Sequence, residues 1–408
     1  MNLFFKLAWR NIFRNKRRTY ITGAAIGIGL ASLIWTDALI IGMEENMIRS
    51  GTASYLGEGQ IHAERFRESF EVDQTINNLD QTVAGLRTEP MLDEFTLRAM
   101  TFAMISSPAN VSAVSLVGVD PQTERHLSQI DDALVEGAYF EGDSDRDIII
   151  GRKLAEILEV ELGDRIVLTA AQAHTGDLAQ EMFRISGIYF FNAGDMDRGM
   201  AFIRLPMAQK MLNLGGDVHE ISLKFTDNNF ARNTHHPFWD RYSVDGNKAE
   251  GWPEILPQLE AAFDLSEFST LIVGFILFVV VTLSIINTLF MSLYERMYEF
   301  GVMRAVGTSG AAIARLVVFE AAALAIVSNI LGVVLGFIAT YIFTVTGIDY
   351  GGIEFVGVTF RELLYPVMEL QQFIFYPVAV FIFTVVVSLY PAVHAARIIP
   401  AEAMRKSL

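Results

Sequence analysis

Long uncharged, apolar stretches occur at four places along the chain. One lies near the start, over 19–36. Three crowd the last third, over 268–294, 321–348 and 370–397, the last carrying no charge before Arg397. A membrane-spanning helix needs roughly 20 mostly apolar residues. Between the first and second stretches, more than 200 residues mix polar and apolar positions as a water-soluble domain does. The pattern predicts a membrane protein with four transmembrane α-helices, arranged one plus three. A large α/β domain is inserted between the first and the second. The expected limits are 1–18 for an amphipathic helix on the cytoplasmic leaflet, 19–43 for the first span and 44–266 for the inserted domain. The second span is expected at 267–294, a cytoplasmic loop at 295–312 and the third span at 313–348. A small external loop at 349–369, a fourth span at 370–393 and a cytoplasmic tail at 394–408 complete the chain.

Periodicity fills in the inserted domain. Strands are expected at 59–65, 111–119, 147–151, 183–191, 200–204 and 220–225, with a turn leading into a further strand over 163–169, and helices at 93–104, 152–158, 206–212 and 252–263. The polar stretch 228–251 reads as an insertion or linker.

Charge orients the chain. Lys6, Arg10, Arg14, Lys16, Arg17 and Arg18 precede the first span without an acid. Arg296, Arg304 and Arg315 flank the short loop, and Arg397, Arg405 and Lys406 follow the last span. Basic flanks mark the cytoplasmic side, so both termini and the 295–312 loop are expected there. The 44–266 segment holds 37 Asp and Glu against 18 Lys and Arg, so it accounts for more than the whole net charge of −16. Such an acidic surface disfavours nucleic acid as a partner. No A-x-A cleavage pattern follows the first span, so it reads as a retained signal anchor.

Little in the residues suggests catalysis. There is no cysteine, hence no thiol chemistry or thiolate metal site. Of seven lysines only Lys406 precedes a Ser, and Arg405 stands where a phosphate loop needs Gly, so no ATP site of that type is present. The seven histidines form no H-E-x-x-H. Asp143, Asp145 and Asp147 alternate but lack the Gly and Glu of a calcium loop, and no G-x-S-x-G elbow occurs. No metal is expected.

A few positions inside the spans stand out. Gly23, Gly27 and Gly29 give the first span a close-packing face, and Gly332 and Gly336 give the third another. Asp37 falls roughly 27 Å along the first span from Thr19, at the expected outer headgroups. Glu320, the acid within the third span, is expected to pair with an arginine such as Arg304 or Arg315. The loop around Glu295 is too short for a domain and predicts a short helix ending at Gly307.

That loop carries a resemblance. Glu299-Phe-Gly301-Val-Met-Arg304-Ala305-Val-Gly307 resembles the E-x-G-x-x-R-A-x-G signature of the MacB/FtsX/LolE-like ABC transporter permeases. The tail from Tyr390-Pro-Ala to Pro400-Ala-Glu-Ala-Met-Arg405 and the opening Leu7-Ala-Trp-Arg-Asn-Ile-Phe-Arg are similar to the ends of that family. The pieces at 137–143, 147–151 and 163–168 are similar to its periplasmic core domain. The resemblance covers the full length and is closest to the LolC/LolE lipoprotein-releasing branch. It implies a non-catalytic permease subunit of a bacterial inner-membrane transporter, with a periplasmic inserted domain. Two copies of a separate cytoplasmic ATPase would carry ATP and Mg. A second permease subunit, identical or paralogous, would pair with this chain, and a periplasmic carrier or outer-membrane partner is compatible.

On that footing Glu295, Glu299, Gly301, Arg304, Ala305 and Gly307 are expected to couple to the ATPase. Glu299 and Arg304 would offer charges to it, although the residues alone also fit a solvated surface pair. Leu39, Ile40, Met43, Leu271 and Phe275 are candidates for an acyl-chain groove between the first and second spans, and ordinary helix packing explains them equally well. The expected function is extraction of lipoproteins or amphiphiles from the inner membrane. The alternatives are FtsX-like mechanotransmission to a cell-wall partner and MacB-like efflux of peptides or antibiotics.

Overall fold

The computed structural model describes Arg10 and residues 16–141, 144–227, 230–349, 354–355, 358–359 and 363–399. Most of the expected 1–18 helix, Asp143 and the tail motif from Pro400 lie outside those residues. The chain divides into two compact units. One comprises Met1–Glu45, Asp264–Asp349 and Leu363–Leu408, and the other Asn46–Phe263 and Tyr350–Glu362.

The first unit is helical. Among the described residues, four helices are long and apolar enough to cross a membrane. They are Lys16–Gly51, Pro257–Glu295, Gly310–Thr346 and Gln372–Ala396. The first three have 36, 39 and 37 residues. At about 1.5 Å per residue each exceeds 50 Å, well beyond the roughly 30 Å of hydrocarbon. The two glycine faces expected on separate helices pack against each other. A Cβ on Gly332 would lie 2.7 Å from the Gly27 carbonyl oxygen, and one on Gly336 would lie 3.2 Å from Ile34. Ile26, Leu30 and Ile34 of the first helix also share a core with Val281, Ile285 and Leu289 of the second. The Thr22 and Thr288 hydroxyls hydrogen-bond at 2.7 Å. The fourth helix contains Pro377 and Pro391. Asn329 of the third helix donates to the Pro377 carbonyl at 2.7 Å, a polar bond between the third and fourth helices.

The second unit is built on one sheet. Its strands are β1 (Gly59–Ala63), β2 (Leu92–Ser106), β3 (Val111–Val119), β4 (Leu134–Gly137), β5 (Asp147–Gly151), β6 (Arg165–Ala171), β7 (Leu178–Tyr189), β8 (Met200–Arg204), β9 (Glu220–Phe225) and β10 (Asn247–Gly251). The order is β10-β1-β9-β2-β3-β8-β5-β7-β4, with β6 pairing both β2 and β7. The pairings β2-β3-β8-β5-β7-β6 therefore close a ring of six strands. The long strand β2 makes this possible, because its first half pairs β9 and its last residues pair β6. The Ile-Ile-Ile of β5 is fully buried, as expected for a strand covered on both faces. Val117, Ile149, Tyr189 and Phe202 belong to the surrounding core.

Three expectations for this domain are corrected. Residues 93–104 are strand, not helix. Thr101, Ala103 and Ile105 are buried while Phe102 and Met104 are exposed, a period of two that the apolar content of the segment masks. Residues 228–251 are not a linker. Phe230, Phe238 and Trp239 pack with Phe225, with ring centroids 4.6 to 5.7 Å apart, and β10 pairs β1. The aromatic side chains outweigh the Asn, His and Gly around them. Finally, 252–263 is not one helix. Trp252–Ile255 ends at Leu256, whose ψ of 63° follows from the clash that Pro257 imposes on the residue before it.

Candidate coupling site and stalk junction

The short helix between the second and third long helices is Met297–Ala305. Its end follows from Gly307, which adopts φ +100°. The Thr308 N–H bonds back to the Met303 carbonyl at 2.9 Å and the Gly307 N–H to that of Arg304 at 3.1 Å. This pair of bonds is a Schellman cap, which places Gly where a left-handed residue is needed. Ser309 then caps the third long helix, accepting from the Ala312 N–H at 3.3 Å.

Arg296 organises the start of this helix. It is buried, donates through Nε to Glu299 at 3.0 Å and through Nη1 to Glu320, and lies over the Phe300 ring at 5.0 Å. Glu320 thus pairs with a nearby arginine, as expected, though with neither Arg304 nor Arg315. Arg296 takes that place because it sits at the turn between two helices, facing the third. The Glu299 carboxylate is thus shared with Arg296, and Arg304 is half-buried with Nη1 3.4 Å from the Thr308 carbonyl. Gly301 is buried, while Glu295, Ala305 and Gly307 are exposed.

The exposed face of the short helix is apolar. Tyr298, Val302, Ala305 and Val306 are all exposed, with Val306 at 83%. They recur at i, i+4, i+7 and i+8, one stripe of a helix. That spacing is legible in the sequence as a periodicity alongside the charged signature.

The groove candidates fall in different settings. Leu39, Ile40 and Met43 are half-buried, and Leu271 and Phe275 are exposed. Phe275 lines an apolar furrow of about 530 Å³ with Phe278, Val279, Ala379, Ile382, Phe383 and Val386. That furrow joins the second helix to the fourth.

At the other end of the first long helix, the chain passes through a π-helical turn, Thr52–Leu56. Arg98 of β2 grips it. This guanidinium is fully buried and makes a two-pronged contact with Glu124, at 3.0 and 2.7 Å. It also reaches Glu220 at 2.8 Å and the Tyr55 carbonyl at 2.6 Å, and covers the Tyr55 ring at 4.1 Å. Burial alone would lower the Arg98 pKa, but the Glu124 and Glu220 carboxylates reverse this and hold it above the ordinary guanidinium value. Beyond the turn, the Trp252 N–H bonds to the Glu58 carbonyl at 2.9 Å, and Gly59 of β1 stands opposite Gly251 of β10. The two chain connections to the long helices therefore leave the domain from neighbouring strands.

His219 lies beside this junction. It accepts the Met100 N–H on Nδ1 at 2.9 Å, while Nε2 lies 2.9 Å from the Val72 carbonyl. Nε2 is therefore the protonated nitrogen of a neutral ring, and burial lowers its pKa.

Residues 19–231, more than half of the chain, match the family model described as the MacB-like periplasmic core domain. The chain belongs to this family. Residues 271–400 match the FtsX-like permease C-terminal model. Among curated relatives, the lipoprotein-releasing system transmembrane protein LolE of Haemophilus influenzae is 24% identical, over 99% of each chain. The corresponding LolC of Xylella fastidiosa is 22% identical over 96% of each. The solved periplasmic region of MacB from Actinobacillus actinomycetemcomitans is 11% identical with a TM-score of 0.35, covering 52% of this chain and 95% of that one. This family member is an inner-membrane permease of the ABC transporter type with a periplasmic domain.

Proposed function

We propose that this permease releases lipid-anchored proteins or similar amphiphiles from the inner membrane, driven by a separate cytoplasmic ATPase. The substrate class rests on the likeness to lipoprotein-releasing relatives over the whole chain. The observation that carries the mechanism is the junction at which both connections enter the domain on paired strands, locked by Arg98. A displacement of the second long helix then acts on the same sheet edge as the first and moves the domain as a body. In this reading both termini are cytoplasmic. Two ATPase copies bind ATP and Mg, a second permease subunit completes the membrane part, and a periplasmic carrier receives the cargo.

The ATPase docks on the apolar stripe Tyr298, Val302, Ala305 and Val306, and Glu299 and Arg304 shape the helix beneath it. Burying a Val side chain is worth roughly 1.5–3 kcal/mol, so this stripe supplies affinity that exposed charges do not. Val302→Glu should abolish co-purification of the ATPase, whereas Glu295→Gln should leave it intact. The opposite ranking would overturn the docking assignment. Photocrosslinking from Phe275 and Met43 should trap lipoprotein, and capture of a cell-wall hydrolase on the external domain instead would favour mechanotransmission.

A further inference from the structure

The second long helix carries a polar group that its own chain does not satisfy. Asn287 lies eight residues before the helix ends at Glu295, about 12 Å along the axis. The segment between is Thr288-Leu-Phe-Met-Ser-Leu-Tyr294, and a side chain as short as Asn does not cover that distance. Its carboxamide is exposed, and among the described residues no group bonds to it. Several other polar side chains of the four helices find partners. Asn329 reaches the Pro377 carbonyl, and Thr22 and Thr288 bond each other. Thr282, Ser328 and Thr384 return to a carbonyl of their own helix one turn back.

Asn287 also holds a defined place in a pattern. Val273, Ile276, Val280, Leu283, Met291 and Tyr294 are exposed and stand at steps of three and four residues to either side of it. At about 100° per residue, all six lie within about 40° of Asn287 around the helix. They form one straight stripe, with the spacing of a seam between two helices that cross at about 20°. Lipid alone would satisfy the other six positions. It does not satisfy the carboxamide, which finds no hydrogen bond in hydrocarbon.

We propose that this stripe is the seam between two copies of this chain, with the two Asn287 carboxamides bonded to each other. The proposal rests on the reading that a second permease subunit completes the membrane part, and it names that subunit and its contact. Two copies inserted in the same orientation place equal residues at equal depth. A two-fold axis between their second helices therefore brings the carboxamides together. A carboxamide is both donor and acceptor, so it is complementary to itself. A different subunit would need a polar side chain at the same height. A single Asn in an apolar seam also fixes the register, because any slip along the axis leaves both amides unpaired.

The test uses the full chain, co-expressed with the subunits it recruits, in native membranes without ATP or cargo. Failure of the seam then leaves lipoprotein release standing, and failure of release leaves the seam standing. The absence of cysteine from the chain makes single-cysteine variants specific probes. Leu283→Cys copies should form a disulfide under mild oxidation. Phe275→Cys, exposed on the same helix but about 120° away from Asn287, should not. Counting fluorescently tagged copies by photobleaching should give two per complex. Asn287→Leu should weaken that pairing about threefold, the scale of one interhelical hydrogen bond in a bilayer, and Asn287→Gln should recover most of it. Asn287 bonds nothing in its own chain, so both variants should fold, and an unchanged melting temperature of the external domain checks this. Equal cross-linking at Leu283 and Phe275, one copy per complex, or pairing unmoved by Asn287→Leu would overturn the seam.

Discussion

Two arginines in this molecule have nearly the same surroundings and different freedom. Arg98 lies between Glu124 and Glu220 over the ring of Tyr55, and Arg296 between Glu299 and Glu320 over the ring of Phe300. Each stands at a point where a long helix gives way to another structure. The first set is closed, with Arg98 and Glu124 fully buried and Glu220 nearly so. In the second, the Glu299 side chain is 42% exposed. A closed cluster transmits force without rearranging. An open one can exchange a carboxylate when a partner docks beside it. The junction of the inserted domain is built as a rivet and the cluster at the short helix as a catch.

Removing the arginines separates the two designs most strongly. Arg98→Ala strands two buried carboxylates, and breaking a buried pair in this way costs roughly 3–5 kcal/mol. We expect loss of the cooperative unfolding transition of the external domain, followed by limited proteolysis of the intact protein in detergent. Adding Glu124→Gln and Glu220→Gln to an Arg98→Met variant should recover much of the loss. Arg296→Ala should cost less, about 2 kcal/mol, because Glu299 can turn to water. Equal losses at the two sites would erase the distinction.

The two clusters were not equally legible in the sequence. The glycines that end the short helix and the small-residue faces of the first and third spans announce a backbone requirement by residue type alone, and Gly307, Gly27 and Gly332 play those parts. Glu320 announced itself too, as an acid in an apolar span, although its partner depended on the turn that presents Arg296. Nothing local distinguishes Arg98 from the other arginines of an acidic domain. Glu124 and Glu220 are brought to it by β2 pairing β9 and by the helix after β3, contacts between residues 26 and 122 positions apart. The helix expected over 93–104 would moreover have placed Arg98 outside the sheet. Long-range pairing decided both the strand and the cluster. The apolar stripe on the short helix is legible in principle, since it needs only a periodicity count.

Acid should sharpen the comparison by acting on one side only. His219 donates its backbone N–H to the Arg98 carbonyl and must stay neutral to accept from Met100. Its folded pKa is lowered, so the unfolded chain takes up the proton first. The stability it contributes is therefore complete above about pH 6.5 and is lost as the pH falls below that value. Between pH 7.5 and 5.5 the external domain should lose about 1 kcal/mol through this group. His219→Gln, which keeps a donor and an acceptor, should flatten that part of the pH dependence. An unchanged slope would place the acid sensitivity elsewhere.

The smallest stability effect carries the functional half of the comparison. Glu299 is half-exposed and its bond to Arg296 spans only three positions on one helix, so Glu299→Ala should cost no more than about 0.5 kcal/mol. If the cluster is a catch, the same substitution should still reduce the ATPase stimulation produced by cargo, because Arg296 would then be held by Glu320 alone in every state. Glu320→Gln should do the reverse, lowering the melting temperature more than the coupling. A Glu299→Ala permease with unaltered stability and unaltered stimulation would make the Arg296 cluster a second rivet. The distinction would then have to move from the charges to the exposed Val302 and Val306, where docking alone, without exchange of an ion pair, would carry the signal.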